Sequence, residues 1–292
     1  MTRPFRILTM VMTISMCAGF ASASIAAEPR AYDGIVVFGD SLSDTGNAAG
    51  ARFSNGPVWV EHLARHFSLP VEPAISGGTN YAVGGARAHD PASPYNLRVQ
   101  ADRYLAEEPD RRSVGRTLFI VYGGANDLLA AVSGQDPVLL ATNAVRVLGG
   151  IADDLASAGA GTILMPNLPD LAKVPAVRQF GPTVGRIASR VTEGFNLALD
   201  ELLAGVEARH GMRIVRLDVH GLVERVFQDP RLLGEPGVNL TDPCAGGGRI
   251  CSDPDRYIFW DQVHPTAFGH ARLAGAALDV FDPEPTDRKS VV

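Results

Sequence analysis

The sequence predicts an α/β fold, a three-layer sandwich in which a central parallel sheet of about five strands carries helices on both faces. Short β-branched or apolar runs alternate along the chain with longer segments of helical periodicity. Such alternation is typical of a parallel sheet that is covered on both sides. The 292 residues are 46% hydrophobic and 20% charged, a globular composition with enough length for one large domain.

The predicted elements follow one another as strand and helix. Apolar side chains at helical spacing, early prolines and terminal glycines indicate the helices, and short apolar runs indicate the strands. Strands are expected at Asp33–Gly39, Thr79–Val83, Thr117–Tyr122, Gly161–Met165 and Met212–Leu217. Helices are expected at Pro57–Phe67, Leu97–Glu107, Pro137–Ala158, Thr183–His210 and Pro265–Leu278.

The N-terminus is predicted to be a secretory signal peptide rather than part of the fold. Two arginines precede an apolar run at Ile7–Phe20, and small residues follow it, the order that export signals show. Cleavage is expected after Ala27, with Ala23 as the alternative. We therefore predict a single domain over residues 28–281, a loose polar tail over residues 282–292, and no transmembrane anchor in the mature chain. The protein is expected to be exported, either secreted or periplasmic.

Charge and cysteine content argue against several function classes. The formal net charge is −6, and no cluster of Lys and Arg points to nucleic-acid binding. Cys244 and Cys251 flank a Gly-rich turn, and in an exported chain this spacing predicts a local disulfide rather than two free thiols. His62 and His66 are four residues apart but lack the intervening acidic residue of a zinc protease motif. We expect neither a metal nor a cofactor.

Three segments with small or polar residues each follow a predicted strand. Ser41 lies in FGDSLSDTGN, Gly84 and Gly85 lie in NYAVGGA, and Asn126 lies in GGAND. The carboxyl ends of parallel strands meet at one edge of a sheet, where ligands bind, so the three segments are expected on the same rim. Alone, the first segment is equally consistent with a turn, because Gly, Asp and Ser favour turns and helix caps.

A fourth segment, DQVHP, places Asp261 three residues before His264 near the C-terminus. A carboxylate at this spacing can orient the imidazole and fix its tautomer. The imidazole is then a suitable base for the proton of a serine hydroxyl, which is a weak nucleophile by itself. Alone, this pair is also consistent with a helix cap beside a surface histidine.

Together the four segments resemble the GDSL, or SGNH, family of serine esterases and lipases. They occur in that family's order and extend across the mature chain. The resemblance implies a flavodoxin-like SGNH hydrolase fold, with Ser41 as the nucleophile and Asp261 and His264 as its acid and base partners. The stretch from Cys244 through Cys251 and YIFWD to HPT at Thr266 also resembles the larger exported and plant-type branch of the family.

The resemblance further implies an oxyanion hole. Its donors are the backbone N–H groups of Ser41 and Gly85 and the side-chain amide of Asn126, with Gly84 as the alternative to Gly85. Fixed donors of this kind stabilise the oxyanion that forms when a hydroxyl attacks an ester carbonyl.

Two acidic residues beside these segments are predicted to have structural roles. Asp44 is expected to cap a helix that follows Ser41, where a carboxylate interacts favourably with the helix dipole. Asp127 is expected to accept backbone hydrogen bonds and so hold the turn of Asn126.

The predicted function is an exported serine ester hydrolase, a lipase or esterase of this family. The resemblance implies lipids, short-chain esters or acylated sugars as substrates and allows transient contact with lipid surfaces. An acyltransferase that passes the acyl group to an alcohol such as a sterol is the first alternative, because it differs only in the acceptor at deacylation. A non-catalytic lipid- or carbohydrate-binding module on the same fold is the remote one.

Overall fold

A computed structural model describes residues 31–107 and 109–281, and it confirms the predicted α/β sandwich. The predicted signal peptide and the tail lie outside the described residues. A central sheet of four parallel strands has the order β1-β2-β3-β4. These strands are β1 (Gly34–Gly39), β2 (Thr117–Tyr122), β3 (Thr162–Pro166) and β4 (Ile214–Leu217). The inner strands are buried on both faces, as expected where helices cover both sides of a parallel sheet.

The helices flank the sheet in two groups, with α2, α5 and α7 packed together in one and α1 and α9 in the other. Their bounds are α1 (Trp59–His66), α2 (Leu97–Ala106), α3 (Arg111–Gly115), α4 (Ala125–Leu129), α5 (Pro137–Ala158), α6 (Pro175–Arg178), α7 (Gly181–His210), α8 (Val219–Gln228) and α9 (Ala267–Phe281). Among the described residues, no helix is both long and apolar enough to cross a bilayer.

The predicted strand at Thr79–Val83 is wrong as a strand but right in position. The segment runs along the free edge of β1, where the Tyr81 N–H donates to the Val37 carbonyl at 2.8 Å and the Val83 N–H donates to Gly39 at 3.2 Å. Only a single β-bridge forms with β1, between Val37 and Asn80, because the Gly39 N–H that would continue the ladder donates to the Gln100 side chain at 2.8 Å. The Asn80 N–H and carbonyl face away from β1 and bond to residues 72 and 74. If this segment is counted as the second strand of the chain, the strands lie in the order 2-1-3-4-5 of a flavodoxin-like sheet. The segment takes that place without forming a continuous ladder.

Two predicted helix starts shift toward the C-terminus. α1 begins at Trp59 rather than Pro57. α9 begins at Ala267 rather than Pro265, because Pro265 forms a β-bridge with Phe259. The Thr266 hydroxyl then accepts the Gly269 N–H at 3.1 Å, as a side chain at a helix N-terminus does.

Helix α8 was not predicted, although its signal is present in the sequence. Asp218 caps it by accepting the Gly221 N–H at 2.9 Å, and apolar residues follow at helical spacing. Those apolar residues are Val219, Leu222, Val223 and Val226.

The predicted disulfide is present and supports the chain that leads to Asp261. It joins Cys244 to Cys251 across the hairpin of β6 (Ala245–Gly246) and β7 (Arg249–Ile250). The preceding strand β5 (Asn239–Pro243) pairs with β8 (Tyr257–Phe259). The Cys244 N–H also donates to the Phe259 carbonyl at 2.9 Å, which ties the hairpin to the end of β8.

Candidate active site

Three side chains from two distant segments of the sequence form one hydrogen-bonded chain at the carboxyl edge of the sheet. Ser41 follows β1, and Asp261 and His264 lie between β8 and α9. The Ser41 hydroxyl lies 2.8 Å from His264 Nε2, and His264 Nδ1 lies 2.8 Å from Asp261 Oδ2. With Nδ1 protonated toward the carboxylate, Nε2 is free to accept the Ser41 proton, the arrangement that general-base activation of a serine requires.

The Asp261 carboxylate is held in its charged form. Burial acts to raise the pKa of Asp261, but hydrogen bonds from the His264 ring and from two backbone N–H groups outweigh it, so the pKa is lowered. The Val263 and His264 N–H groups both donate to Oδ1 at 2.9 Å. The carboxylate therefore has a fixed direction and can stabilise the imidazolium that forms when His264 takes a proton.

The structure distinguishes between the two glycines of NYAVGGA. The Gly84 N–H donates to Asp44 Oδ2 at 2.8 Å and is thus occupied. Within the described part of the chain, the Gly85 N–H has no hydrogen-bond acceptor, and neither has the Ser41 N–H. Gly85 has φ +76°, a left-handed conformation that favours glycine. Of the two, Gly85 is the one with a free donor.

The side-chain amide of Asn126 lies between the two other segments of the rim. Its Nδ2 donates to the Ala86 carbonyl at 2.9 Å and lies 3.4 Å from Asp40 Oδ2. One N–H is thus engaged in holding the loop after Gly85, and the other points to the weakly bonded Asp40. An oxyanion that displaced this long contact would find a donor already oriented.

The expected roles of Asp44 and Asp127 need correction. Turns and bends follow Ser41 directly, and the next helix begins only at Trp59, so Asp44 does not cap a helix. Its carboxylate accepts the N–H groups of residues 46, 47 and 48 and that of Gly84. Asp127 does accept backbone hydrogen bonds, but from Ala88 at 2.7 Å and His89 at 3.2 Å rather than from its own turn. Both carboxylates hold together segments of the rim that are distant in sequence.

Two buried carboxylates lie behind the site. Burial raises the pKa of Asp40 to about 6, although the Leu42 N–H donates to it. Burial likewise raises the pKa of Asp127 to about 6 against two backbone hydrogen bonds. Each of the two therefore titrates closer to neutral pH than an exposed aspartate does.

Phe53 belongs to the site although its sequence gives no signal of a role. Its ring centroid lies 5.2 Å from that of His264, with an interplanar angle of 39°, and the ring also touches Gly84. The two residues after it hold the chain beyond His264: the Ser54 hydroxyl donates to the Pro265 carbonyl at 3.0 Å, and Asn55 Oδ1 accepts the residue-267 N–H at 2.7 Å.

Gln100 is a second residue that the sequence does not reveal. Its side-chain amide exchanges two hydrogen bonds of 2.8 Å with the backbone of Gly39, at the point where β1 leads into Ser41. A lone Gln inside a helix gives no sign of this function. No group of His, Cys, Asp and Glu among the described residues is arranged to hold a metal ion.

Comparison with known proteins gives a family match over most of the chain. The family model described as GDSL-like Lipase/Acylhydrolase matches residues 35–277. The chain is 28% identical to the thermolabile hemolysin of Vibrio parahaemolyticus over 88% of this chain and 66% of that protein. It is 26% identical to the phosphatidylcholine-sterol acyltransferase of Aeromonas hydrophila over 89% of this chain and 93% of that protein.

Among solved structures, similarity extends to the fold alone. A variant of an acetyl-xylooligosaccharide esterase from Geobacillus has a TM-score of 0.50 at 14% identity, covering 88% of this chain and 96% of that one.

The chain spans less than two thirds of Lipase 1 of Photorhabdus luminescens, 27% of its length, at 30% identity over 58% of this chain. These relatives thus include longer proteins than the domain described here.

Proposed function

We propose that the chain, which belongs to the GDSL-like lipase/acylhydrolase family, is a carboxylic ester hydrolase that works through an acyl-enzyme on Ser41. The observation that carries this proposal is the 2.8 Å approach of the Ser41 hydroxyl to His264 Nε2. A serine oxygen at that distance can lose its proton as it attacks, without a rearrangement of the site.

In the first half of the proposed reaction, Ser41 Oγ attacks the ester carbonyl carbon while its proton passes to His264 Nε2. The carbonyl electron pair moves onto oxygen, and the N–H groups of Ser41 and Gly85, with the amide of Asn126, stabilise that oxyanion. As the carbonyl re-forms, the bond to the alcohol oxygen breaks and His264 returns its proton to the leaving alcohol. Asp261, whose pKa is lowered, keeps the imidazolium oriented throughout.

The second half repeats these steps with water. His264 takes a proton from water as the water oxygen attacks the acyl carbon, and the proton then goes to Ser41 Oγ as the acid leaves. Each half of the reaction returns the side chains to their starting protonation states, and no electrons are gained or lost, so the cycle needs no redox partner.

The direct test compares wild type with Ser41→Ala on p-nitrophenyl butyrate. We expect the variant to retain its fold and to lose release of p-nitrophenol by a factor of about 10⁴ or more. Labelling with a fluorophosphonate, followed by mass spectrometry, is expected to modify the Ser41 peptide in wild type only. Equal activity in the two proteins would refute Ser41 as the nucleophile.

Transfer to an alcohol is a second candidate, because the Aeromonas hydrophila relative that aligns over 93% of its length is named as an acyltransferase. The two activities share the acyl-enzyme and differ only in whether water or an alcohol accepts the acyl group. Incubation of a phosphatidylcholine with cholesterol and a limited water content separates them: sterol ester indicates transfer, and free fatty acid alone indicates hydrolysis.

We also infer that the protein is exported as one catalytic domain over residues 28–281. The sequence pattern of residues 1–27 and the Cys244–Cys251 disulfide support export, because disulfides persist in oxidising compartments. Expression with the natural leader, followed by N-terminal sequencing of the protein recovered outside the cytoplasm, tests this; a chain that stays cytoplasmic with its Met1 terminus would contradict it.

A further inference from the structure

An uncharged groove lies beside the candidate oxyanion donor Asn126. It has a volume of about 330 Å³, and every residue that lines it is apolar. Among the lining residues are Leu128, Leu129, Val177, Phe180, Val184 and Ile187. A groove without a charged or hydrogen-bonding side chain suits an aliphatic chain rather than a polar ligand.

Two walls of the groove are attached to the candidate catalytic residues. Leu129 follows Asn126 by three residues on α4, a spacing that places the two Cβ atoms about 5–6 Å apart on one face of a helix. α6 carries Val177, and the N–H of its Ala176 donates to the Gln262 carbonyl at 2.9 Å. Gln262 directly follows Asp261. The groove therefore has walls on α4, which carries Asn126, and on α6, which contacts the residue after Asp261.

Large apolar side chains are exposed where the groove reaches the surface. Val138, Leu139, Phe180 and Ile187, which we call the apolar rim, are each between 51% and 66% exposed. Phe180 and Ile187 also line the groove, together with Pro137 at the start of α5. A cluster of such side chains at the mouth of a groove indicates a surface that another apolar phase covers.

The charges around the apolar rim are all of one sign over a long segment. Residues 171–192 contain Lys173, Arg178, Arg186 and Arg190 and no acidic residue, in a chain whose net charge is −6. The three arginines are exposed, and within the described ranges none of them forms an ion pair with a carboxylate, whereas Lys173 pairs with Glu224. These guanidinium groups are therefore available to an external anion.

Glu193 follows the basic segment directly and is exposed on α7, but among the described residues no ion pair joins it to an arginine. Two further carboxylates, one at the rim and one beside the segment, are engaged by hydrogen bonds. Asp136 caps α5, where its side chain accepts the N–H groups of Val138 and Leu139 at 2.9 and 3.2 Å. Asp170 is buried and accepts hydrogen bonds from the Ser189 hydroxyl at 2.9 and 3.0 Å. Both negative charges are thus held by groups of the protein.

We propose that the apolar rim and its arginines dock on the surface of an anionic phospholipid bilayer and pass a substrate acyl chain along the groove to Asn126. Basic residues that flank exposed aromatic and aliphatic side chains are the combination that binds such surfaces. Charges elsewhere on the protein are screened beyond about 8 Å at physiological salt, so the local arginines govern the approach. The chain's path to Asn126 rests on the proposed function; the docking itself does not.

The test measures docking without catalysis. Ser41→Ala protein is sedimented with vesicles of phosphatidylcholine alone and with vesicles that also contain phosphatidylglycerol, at 0.1 M NaCl. We expect binding to the anionic vesicles that falls with added salt. The triple variant Arg178→Gln, Arg186→Gln, Arg190→Gln is expected to bind them on the order of 100-fold more weakly, at about fivefold for each arginine. Phe180→Asp with Ile187→Asp is expected to reduce binding at least tenfold.

Matched controls isolate the rim. Leu197→Asp alters another exposed apolar side chain of α7, 69% exposed, that lies outside the groove. Arg111→Gln, Arg112→Gln and Arg249→Gln remove three exposed arginines elsewhere. Both controls are expected to bind as the Ser41→Ala parent does, with thermal midpoints of all variants compared to verify folding.

Three results would overturn the proposal. The first is a parent that fails to bind anionic vesicles, and the second is a control variant that loses as much binding as the rim variants. The third is light scattering that shows a dimer which Ile187→Asp dissociates, because the rim would then be covered by a second copy. Hydrolysis of p-nitrophenyl butyrate by wild type is measured separately, so the loss of docking leaves the proposed chemistry standing.

Discussion

Substitution of Gly84 by alanine tests whether Phe53 positions the site. A Cβ atom at Gly84 would lie 2.2 Å from Cζ of Phe53. Ordinary contact begins near 3.4 Å, so the ring has to retreat by about 1.2 Å. Because that ring also packs against His264, its retreat disturbs the base. A displacement of about 1 Å at a reacting group costs on the order of 100-fold in rate, and we expect kcat of Gly84→Ala to fall by that factor.

The assay is a double-mutant cycle on p-nitrophenyl butyrate with Gly84→Ala, Phe53→Ala and the double variant. If the clash is the cause, Gly84→Ala costs little once the ring is gone, so the double variant is no slower than Phe53→Ala alone. Gly85→Ala is the matched comparison. Its Cβ would meet nothing within 4 Å, but its φ of +76° strains alanine by about 1 kcal/mol, which Phe53→Ala cannot relieve. Independent, multiplicative losses from Gly84→Ala and Phe53→Ala would refute the reasoning.

Three further predictions concern the carboxylates and the disulfide. Asp261→Asn should place an amide N–H against His264 Nδ1 and so impose the wrong tautomer on the imidazole. We expect kcat in the ester assay to fall on the order of 10⁴-fold, and a loss below tenfold would contradict this. The pKa of Asp40 is raised to about 6 by burial, so the folded state loses stability relative to the unfolded chain as pH rises from about 4 through 6. Asp40→Asn should therefore gain about 2 kcal/mol of unfolding free energy relative to wild type between those limits, as urea titrations at each pH measure; a difference that stays constant with pH would argue against it. Replacement of Cys244 and Cys251 by serine should lower the free energy of unfolding by about 2 kcal/mol. Its thermal midpoint should be lower than that of oxidised wild type and equal to that of wild type in reductant.

Local patterns in the sequence predict much of the fold. The bounds of β2 and α5 follow from an apolar run and from a helical pattern with proline at its start and glycine after its end, and both agree with the structure. The hydrogen bond between Asp261 and His264 is likewise local, because three residues of chain suffice to form it.

The sequence does not reveal contacts between residues that are far apart along the chain. Phe53 reaches His264 across more than 200 residues, and nothing in its neighbourhood distinguishes it from a core aromatic. Asp44 resembles a helix cap in sequence, yet it bonds to Gly84 forty residues away. The segment at Thr79–Val83 has the composition of a strand, but its ladder with β1 is interrupted because the Gly39 N–H donates to the side chain of Gln100. In each case the partner is decided by packing.

Hydrogen bonds within residues 258–266 hold the Asp261–His264 loop independently of Ser41. The Trp260 N–H donates to the His264 carbonyl at 2.7 Å, and the Thr266 N–H donates to the Ile258 carbonyl at 2.8 Å. The base and its carboxylate therefore form a unit that short-range bonds orient, whereas the 2.8 Å contact of His264 with Ser41 joins residues 223 apart. Since Phe53, Ser54 and Asn55 contact this loop or the chain after it, a change there should separate the base from the serine while the Asp–His pair stays intact.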